Sequence, residues 1–287
     1  MHHIEKQQAW RGPLWDAHVH LFPEKLMQAI YHFFRNHYHW KLPFPAHPAA
    51  LMEHLQKDGV NQAFVLAYVH KPGLSRQVNR WLAELTTEHR WLVPFGAVHP
   101  QDSDLEQVLS EALDQYSFAG IKLHCLVQQI SPDDETLYPV YEALVARSRG
   151  LIIHAGNFPL ADQKHLGVRR LARVLSKYPH LNVIVAHLGL YDLCAYRELL
   201  RQYRGLHLDT AFVFQNESFV PPLQEIADLI TDFPDRILYG SDFPFILEPP
   251  ANGILRILEL GLPPALYTRL FYENARQFYK RISSSAK

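Results

Sequence analysis

The chain has 287 residues, with 28 lysines and arginines against 29 aspartates and glutamates, and a net charge of −1 when its histidines are neutral. That balance offers no field for nucleic acid or an anionic membrane surface, so neither is expected as a partner. The length suits one large α/β barrel or two modest domains and is ample for a sizeable core. No apolar run approaches the roughly 18 residues of a membrane span, and the start, "MHHIEKQQAW", lacks a basic-then-apolar leader. Only two cysteines occur, Cys125 and Cys194. Without a disulfide framework, a reducing cytoplasm is the expected compartment. Histidine is abundant at 18 residues, so position rather than number has to identify any site.

The first apolar run is "LWDAHVH" (14–20). Read as a strand, it puts Asp16, His18 and His20 on one face and Ala17, Val19 and Leu21 on the other. Such a pair of imidazoles is either two hydrogen-bonded structural histidines or part of a metal site. A long insertion follows at 23–58. Its "EKLMQAIYHFFRNHYHW" predicts a helix with Met27, Ile30, Tyr31 and Phe34 on one face, either packed in the ordinary way or capping a barrel mouth. Further apolar runs are "QAFVLAYV" (62–69), "WLVPFGAV" (91–98), "AGIKLH" (119–124), "GLIIHA" (150–155), "NVIVAH" (182–187), "GLHLDTA" (205–211) and "RILYGSD" (236–242). Amphipathic stretches of helical length separate them, for example "LYPVYEALVARS", where Leu137, Val140, Tyr141, Leu144 and Val145 form one stripe.

Strands alternating with helices predict parallel pairing, because parallel neighbours need a crossover. Eight is the number that closes into a (β/α)8 TIM barrel. The alternative, an open doubly wound sheet, lacks a Gly-rich phosphate fingerprint after its first strand. One barrel domain over 1–287 is therefore expected, with 23–58 as its candidate cap.

Polar groups fall at strand ends: His18 and His20 on the first, Lys122 and His124 on the fourth, His154 on the fifth, His187 on the sixth, Asp242 on the eighth. In a barrel these ends share one mouth. Three imidazoles and a carboxylate suit one divalent ion, so His18, His20, His154 and Asp242 are expected as ligands, with Zn2+ favoured and Mn2+ second. Water at such an ion can have a pKa near ~7 rather than ~15.7. Asp242 could then take a proton, while His187 polarises the substrate or shuttles a proton. Lys122 and His124 share a face and are expected to bind substrate, Lys122 either meeting a substrate carboxylate or pairing with a barrel carboxylate such as Asp209. Cys125 is expected to pack, and His70 and His99 to serve the rim or the structure. Asp16 is expected to support the imidazoles of the first strand. Asn157, Phe158, Phe212 and Phe243 are expected on mouth loops.

The set "DAHVH", "GIKLH", "LIIHAG", "VIVAHLG" and "LYGSDFP", in this order, resembles the amidohydrolase superfamily. The chain is most similar to the amidohydrolase-related branch that includes amino-carboxymuconate-semialdehyde decarboxylase and TIM-barrel metal-dependent hydrolases. The resemblance runs from residue 14 to about residue 275. It implies a (β/α)8 barrel, one divalent metal on His18, His20, His154 and Asp242, and catalysis by His187. Binuclear members of the superfamily bridge two metals with a carbamylated lysine, which Lys122 could supply; the branch resembled here is of the one-metal type. The leading expectation is a hydrolase of a small carboxylated or cyclic molecule, such as a lactone or amide. A non-oxidative decarboxylase on the same residues is the alternative, and a barrel that binds without turnover comes from another class. Beyond a small-molecule substrate, the one partner allowed for is a second copy, as a homodimer.

Overall fold

The computed structural model describes residues 10–156, 163–190, 192–215 and 222–283. Eight parallel strands follow one another in sheet order as in sequence: β1 (Leu14–Val19), β2 (Val60–Leu66), β3 (Leu92–Ala97), β4 (Gly120–His124), β5 (Gly150–His154), β6 (Asn182–Val185), β7 (Leu206–Asp209) and β8 (Ile237–Leu238). Helices such as Ser75–Glu88, Tyr138–Ala146, Val168–Lys177 and Leu193–Gln202 supply the crossovers that parallel neighbours need. The seam between β8 and β1 closes through three backbone bonds: Ala17 N–H to Tyr239 O at 2.8 Å, Asp242 N–H to His18 O at 2.9 Å and His20 N–H to Phe243 O at 2.7 Å. The fold is a (β/α)8 barrel.

Apolar side chains divide between two clusters. Ile121, Leu123, Leu151, Ile153, Val183 and Val185 belong to the larger cluster under the helices, while Phe64, Phe95, Ile152, Ile184 and Leu238 fill the inside of the barrel with Phe278 and Ile282. Strand β1 breaks simple alternation. Trp15 and Ala17 belong to the inner cluster, yet Leu14 and Val19 belong to the outer one. The register explains this: Asp16 pairs with Ala63 and Val19 with Val65, so β1 carries an extra residue in a β-bulge. The expected shared face of Asp16, His18 and His20 is therefore corrected. The bulge turns Asp16 away from the histidines, and its Oδ1 accepts from the N–H groups of His18 and Ser241, both at 3.0 Å.

Strands β6 and β8 stop short of the functional residues expected to end them, because the chain turns sharply there. After β6, His187 and Leu188 have φ of 61° and 52°, and after β8, Asp242 has φ of 70°. This left-handed region tolerates His and Asp better than most residues and is uncommon for any of them. Gly240 just before Asp242 is required by contact: a Cβ there would lie 2.8 Å from that of His18. Between β1 and β2, the insertion forms α1 (Glu24–His37) and α2 (Pro48–Lys57). Met27 is fully buried, and Ile30, Tyr31 and Phe34 pack against the core beside it. Among the described residues no helix is long and apolar enough to cross a membrane.

At the floor of the barrel, β7 buries His207 against Phe278, with ring centroids 5.0 Å apart. Burial lowers its pKa from 6.5 to about 3, against the Gly205 carbonyl, which raises it. Folded protein keeps this ring neutral while unfolded protein protonates it, so its contribution to stability is lost as pH falls below 6.5. By pH 5 the loss is about 2 kcal/mol, set by the unfolded value alone because the folded one lies far lower. Urea unfolding at pH 7 and pH 5 checks this: His207→Gln should lose about 2 kcal/mol less than wild type between the two.

Candidate metal centre

Beyond the bulge, β1 aims His18 and His20 into the mouth, and each ring has one nitrogen already engaged. His18 Nδ1 lies 2.7 Å from Asp209 Oδ2, both residues being fully buried. His20 Nδ1 lies 3.1 Å from the Leu66 carbonyl, which can only accept. Burial raises the Asp209 pKa to about 7, while the N–H groups of His187 at 2.9 Å and Ala211 at 3.1 Å on its Oδ1, with nearby Lys122, favour the charged acceptor form. Both rings therefore carry their proton on Nδ1 and turn an Nε2 lone pair inward.

Those lone pairs face each other. The two Nε2 atoms are 3.1 Å apart, and Asp242 Oδ1 lies 3.3 Å from the first and 3.2 Å from the second. Three acceptors meeting without a proton is an unfavourable arrangement unless a cation lies among them. Protonating a ring is the other remedy, and burial opposes it: the pKa of His18 is driven well below 6.5, and that of His20 is also lowered. Tetrahedral donors about 2.0–2.1 Å from one ion stand about 3.3 Å apart, which these separations match. Within the described residues, His18, His20 and Asp242 are the group whose donor atoms all lie within 4.8 Å of one another. The residues fit a divalent ion.

Lys122 on β4 is fully buried, with Nζ 3.2 Å from His18 Nε2. Burial lowers its pKa to about 8, while Asp209 and Asp242 hold it up. Asp209, set against Lys122 by the sequence as an alternative partner, makes its close contact with His18 instead. His154 and His187 form an adjoining pair. His187 Nδ1 donates to the Ala211 carbonyl at 2.9 Å, leaving its Nε2 to accept from His154 Nδ1 at 3.0 Å. His154 Nε2 is then a buried lone pair with no hydrogen-bond partner. His154 thus stands outside the compact group of three. Its ring stacks on His124 at 4.2 Å and 12°. Burial holds His124 and His154 well below 6.5 and lowers His187 to about 4.

A cavity of about 530 Å³ opens on these groups, lined also by Phe34, Trp40, Tyr68, Leu126, Phe212 and Phe245. His70 stands on its wall, whereas His99 is buried, its N–H bonded to Asp102. Phe243, expected on the pocket, is fully buried against Phe44 at 4.6 Å, because the turn after Asp242 sends it outward. Asn157 and Phe158 lie outside the described residues. Cys125 is fully buried, and burial pushes its thiol up to about 12, so it packs. Sequence reasoning underrated Asp209. Its signal was legible: in "LHLD" it alternates with His207 and ends β7 at the mouth, as His124 and His154 end β4 and β5.

The chain is thus a parallel barrel whose mouth carries a group of three acceptors with the spacing a divalent cation requires. The family model described as "Amidohydrolase" matches residues 15–281, and the chain belongs to that family. No curated protein matches it by sequence. Among solved structures, the uncharacterized TIM-barrel protein Bb4693 from Bordetella bronchiseptica is similar at 17% identity and TM-score 0.71, covering 94% of this chain and 99% of that one. The 5-carboxyvanillate decarboxylase from Novosphingobium aromaticivorans, solved with manganese and 4-hydroxy-3-methoxy-5-nitrobenzoic acid, is similar at 16% and 0.68, covering 96% and 97%. The 4-oxalomesaconate hydratase from Rhodopseudomonas palustris is similar at 15% and 0.62, covering 94% and 97%. At these identities the likeness is one of fold.

Asp209→Asn tests the role of proton placement. Its amide oxygen would stay with the two backbone N–H groups and turn the NH2 toward His18 Nδ1. The His18 proton would then move to Nε2, where the metal belongs. Divalent-metal affinity, measured by chelator competition, should fall by roughly 10–100-fold while the fold survives.

Proposed function

We propose that the protein is a metal-dependent enzyme that removes the carboxyl group of a small, flat, conjugated acid without oxidation. The observation that carries this is the acceptor group His18, His20 and Asp242 beside buried Lys122, on the floor of an aromatic-walled cavity. His18, His20 and Asp242 hold the ion, and His154 is the fourth donor through its unpartnered Nε2. The donors suit Zn2+; Mn2+ is the second choice, supported by the manganese in the 5-carboxyvanillate decarboxylase. When bound, the ion supplies Lewis-acid polarisation of substrate oxygen atoms.

The protein's own groups do the rest. Lys122, with His124 beside it, receives a substrate carboxylate, since a buried ammonium gains most from an anion that displaces water. Phe34, Trp40, Phe212 and Phe245 wall the cavity with apolar surface that suits a ring and keeps water out. As carbon dioxide leaves, the electron pair of the broken C–C bond must take one proton. His187 is the group assigned to deliver it: a proton taken up from solvent at Nε2 passes to the carbon and leaves the ring neutral again, with the Ala211 carbonyl keeping the ring oriented.

Hydrolysis of a lactone or amide is the second reading. Asp242 favours it, because its Oδ1 touches both imidazoles where a carboxylate could take a proton from water. Turnover of conjugated carboxylates, lactones and amides by Zn2+- or Mn2+-loaded protein in 18O-labelled water separates the two. Carbon dioxide release with no label in the organic product is expected; label in that product without carbon dioxide would make the enzyme a hydrolase. No turnover of any of them would favour the barrel that only binds. His187→Ala should lower kcat by about 10²–10⁴-fold with metal retained. His154→Ala should lose metal and activity together, as metal analysis of both variants will show.

A further inference from the structure

The His20 ring is packed among other rings, with Phe22 stacked on it at 6.1 Å and 10° and His18 edge-on at 4.9 Å and 74°. The His20 Nδ1 is bonded to the Leu66 carbonyl at 3.1 Å, Tyr68 meets the ring edge-on at 5.4 Å and 88°, and Phe245 stacks on it at 5.2 Å and 27°. Phe245 is itself held twice. Its N–H donates to the Asp242 carbonyl at 2.9 Å, and its ring stacks on Phe34 of α1 at 5.2 Å and 24°. The stack continues from Phe34 to Trp40 at 5.8 Å and 16°, then to Phe212 at 6.0 Å and 17°. Phe212 meets His187 at 6.1 Å and 79°. A column of rings therefore leaves the acceptor group at His20, crosses the inserted segment and returns to the site at His187.

We propose that α1 is a positioning element of the metal centre, acting through Phe34. Phe34 holds Phe245, and Phe245 holds both the His20 ring and the backbone of Asp242, two of the three residues of the compact acceptor group. Phe34 offers no donor atom; it limits how far the His20 ring can swing about its Nδ1 bond. A ring already held loses less freedom on ligation, and the groups that orient a ligand typically govern 10–100-fold in metal affinity. Coupling between two equilibria is reciprocal, so the ion must tighten α1 by the factor that Phe34 lends to the ion. This inference rests on the metal-site reading above and extends it to a residue outside the donor set.

The test compares full-length wild type with Phe34→Ala, Phe34→Tyr and Phe33→Ala, where Phe33 is the 49% exposed neighbour that lines the same cavity and meets Phe34 only edge-on, at 6.3 Å and 81°, without entering the stack. Zn2+ and Mn2+ dissociation constants are measured by chelator competition. Trypsin cleavage after the exposed Arg35 and Lys41 is followed with and without metal. Phe34→Ala should bind metal about tenfold more weakly, while Phe34→Tyr and Phe33→Ala bind as wild type does. Metal should slow cleavage of the inserted segment in wild type and do so less in Phe34→Ala. Should Phe34→Ala not fold, Phe34→Leu keeps the bulk without the flat face, and the same loss is expected. Wild-type affinity in the folded Phe34 variant, or an equal loss in Phe33→Ala, overturns the proposal alone. A wild-type protein that binds neither ion overturns it together with the functional reading.

Discussion

The site depends on where two protons are kept. Asp209 and the Leu66 carbonyl hold the imidazole protons of His18 and His20 on the outward nitrogens. The inward nitrogens are then bare and stand 3.1 Å apart. Burial disfavours the charged form of both rings, against the Asp242 carboxylate, which favours it at His20. A cation is the remaining way to satisfy three converging acceptors, with the Lys122 ammonium as its stand-in at His18 Nε2. The fit of this group to a cation thus follows from hydrogen bonds made behind the histidines as much as from the histidines.

The bulge in β1 is what brings those rings to the mouth together. Without the extra residue, a strand that points Trp15 and Ala17 into the barrel would point His18 outward to the helices. The same distortion frees the N–H of His18, and Asp16 accepts it at 3.0 Å while bridging to Ser241 across the seam. Asp16 is fully buried, and burial raises its pKa to about 7, so its hydrogen bonds hold a costly group in place. It supports the site as a backbone clamp between β1 and the turn that carries Asp242.

Much of this was legible in the residues. Apolar runs broken by amphipathic stretches announced the barrel, and the side chains of Lys122, His124 and His154 face inward because β4 and β5 alternate without defect. The bulge was hidden, since it exists only relative to the register of β2, which no local pattern records. The left-handed turns at His187 and Asp242 were hidden as well. Both residues closed apolar runs and looked like strand ends, although β6 stops at Val185 and β8 at Leu238. Trp40 and Phe245 escaped notice for a related reason. They lie outside regular elements, where neither the helical nor the strand period reports what a side chain touches, and only the closed barrel brings them to one wall.

The distribution of strain follows the same division. The barrel floor is filled with apolar side chains, among them Phe64, Phe95, Ile152 and Phe278, with positive φ below it at Ser117 and Ser148 in the turns into β4 and β5. At the mouth, His187, Leu188, Phe212 and Asp242 all adopt positive φ. Conformations of that kind cost on the order of 1–3 kcal/mol each and persist only when their surroundings hold them. Here the hold is visible: the His187 N–H on Asp209, the Asp242 N–H on the His18 carbonyl, and the stacked rings from Phe245 to Phe212. Each restraint ends on a group of the acceptor site or its imidazole pair. The strained turns, the clamp and the ring column therefore act on one small region, and a well-packed floor below supplies the stability that such a region consumes.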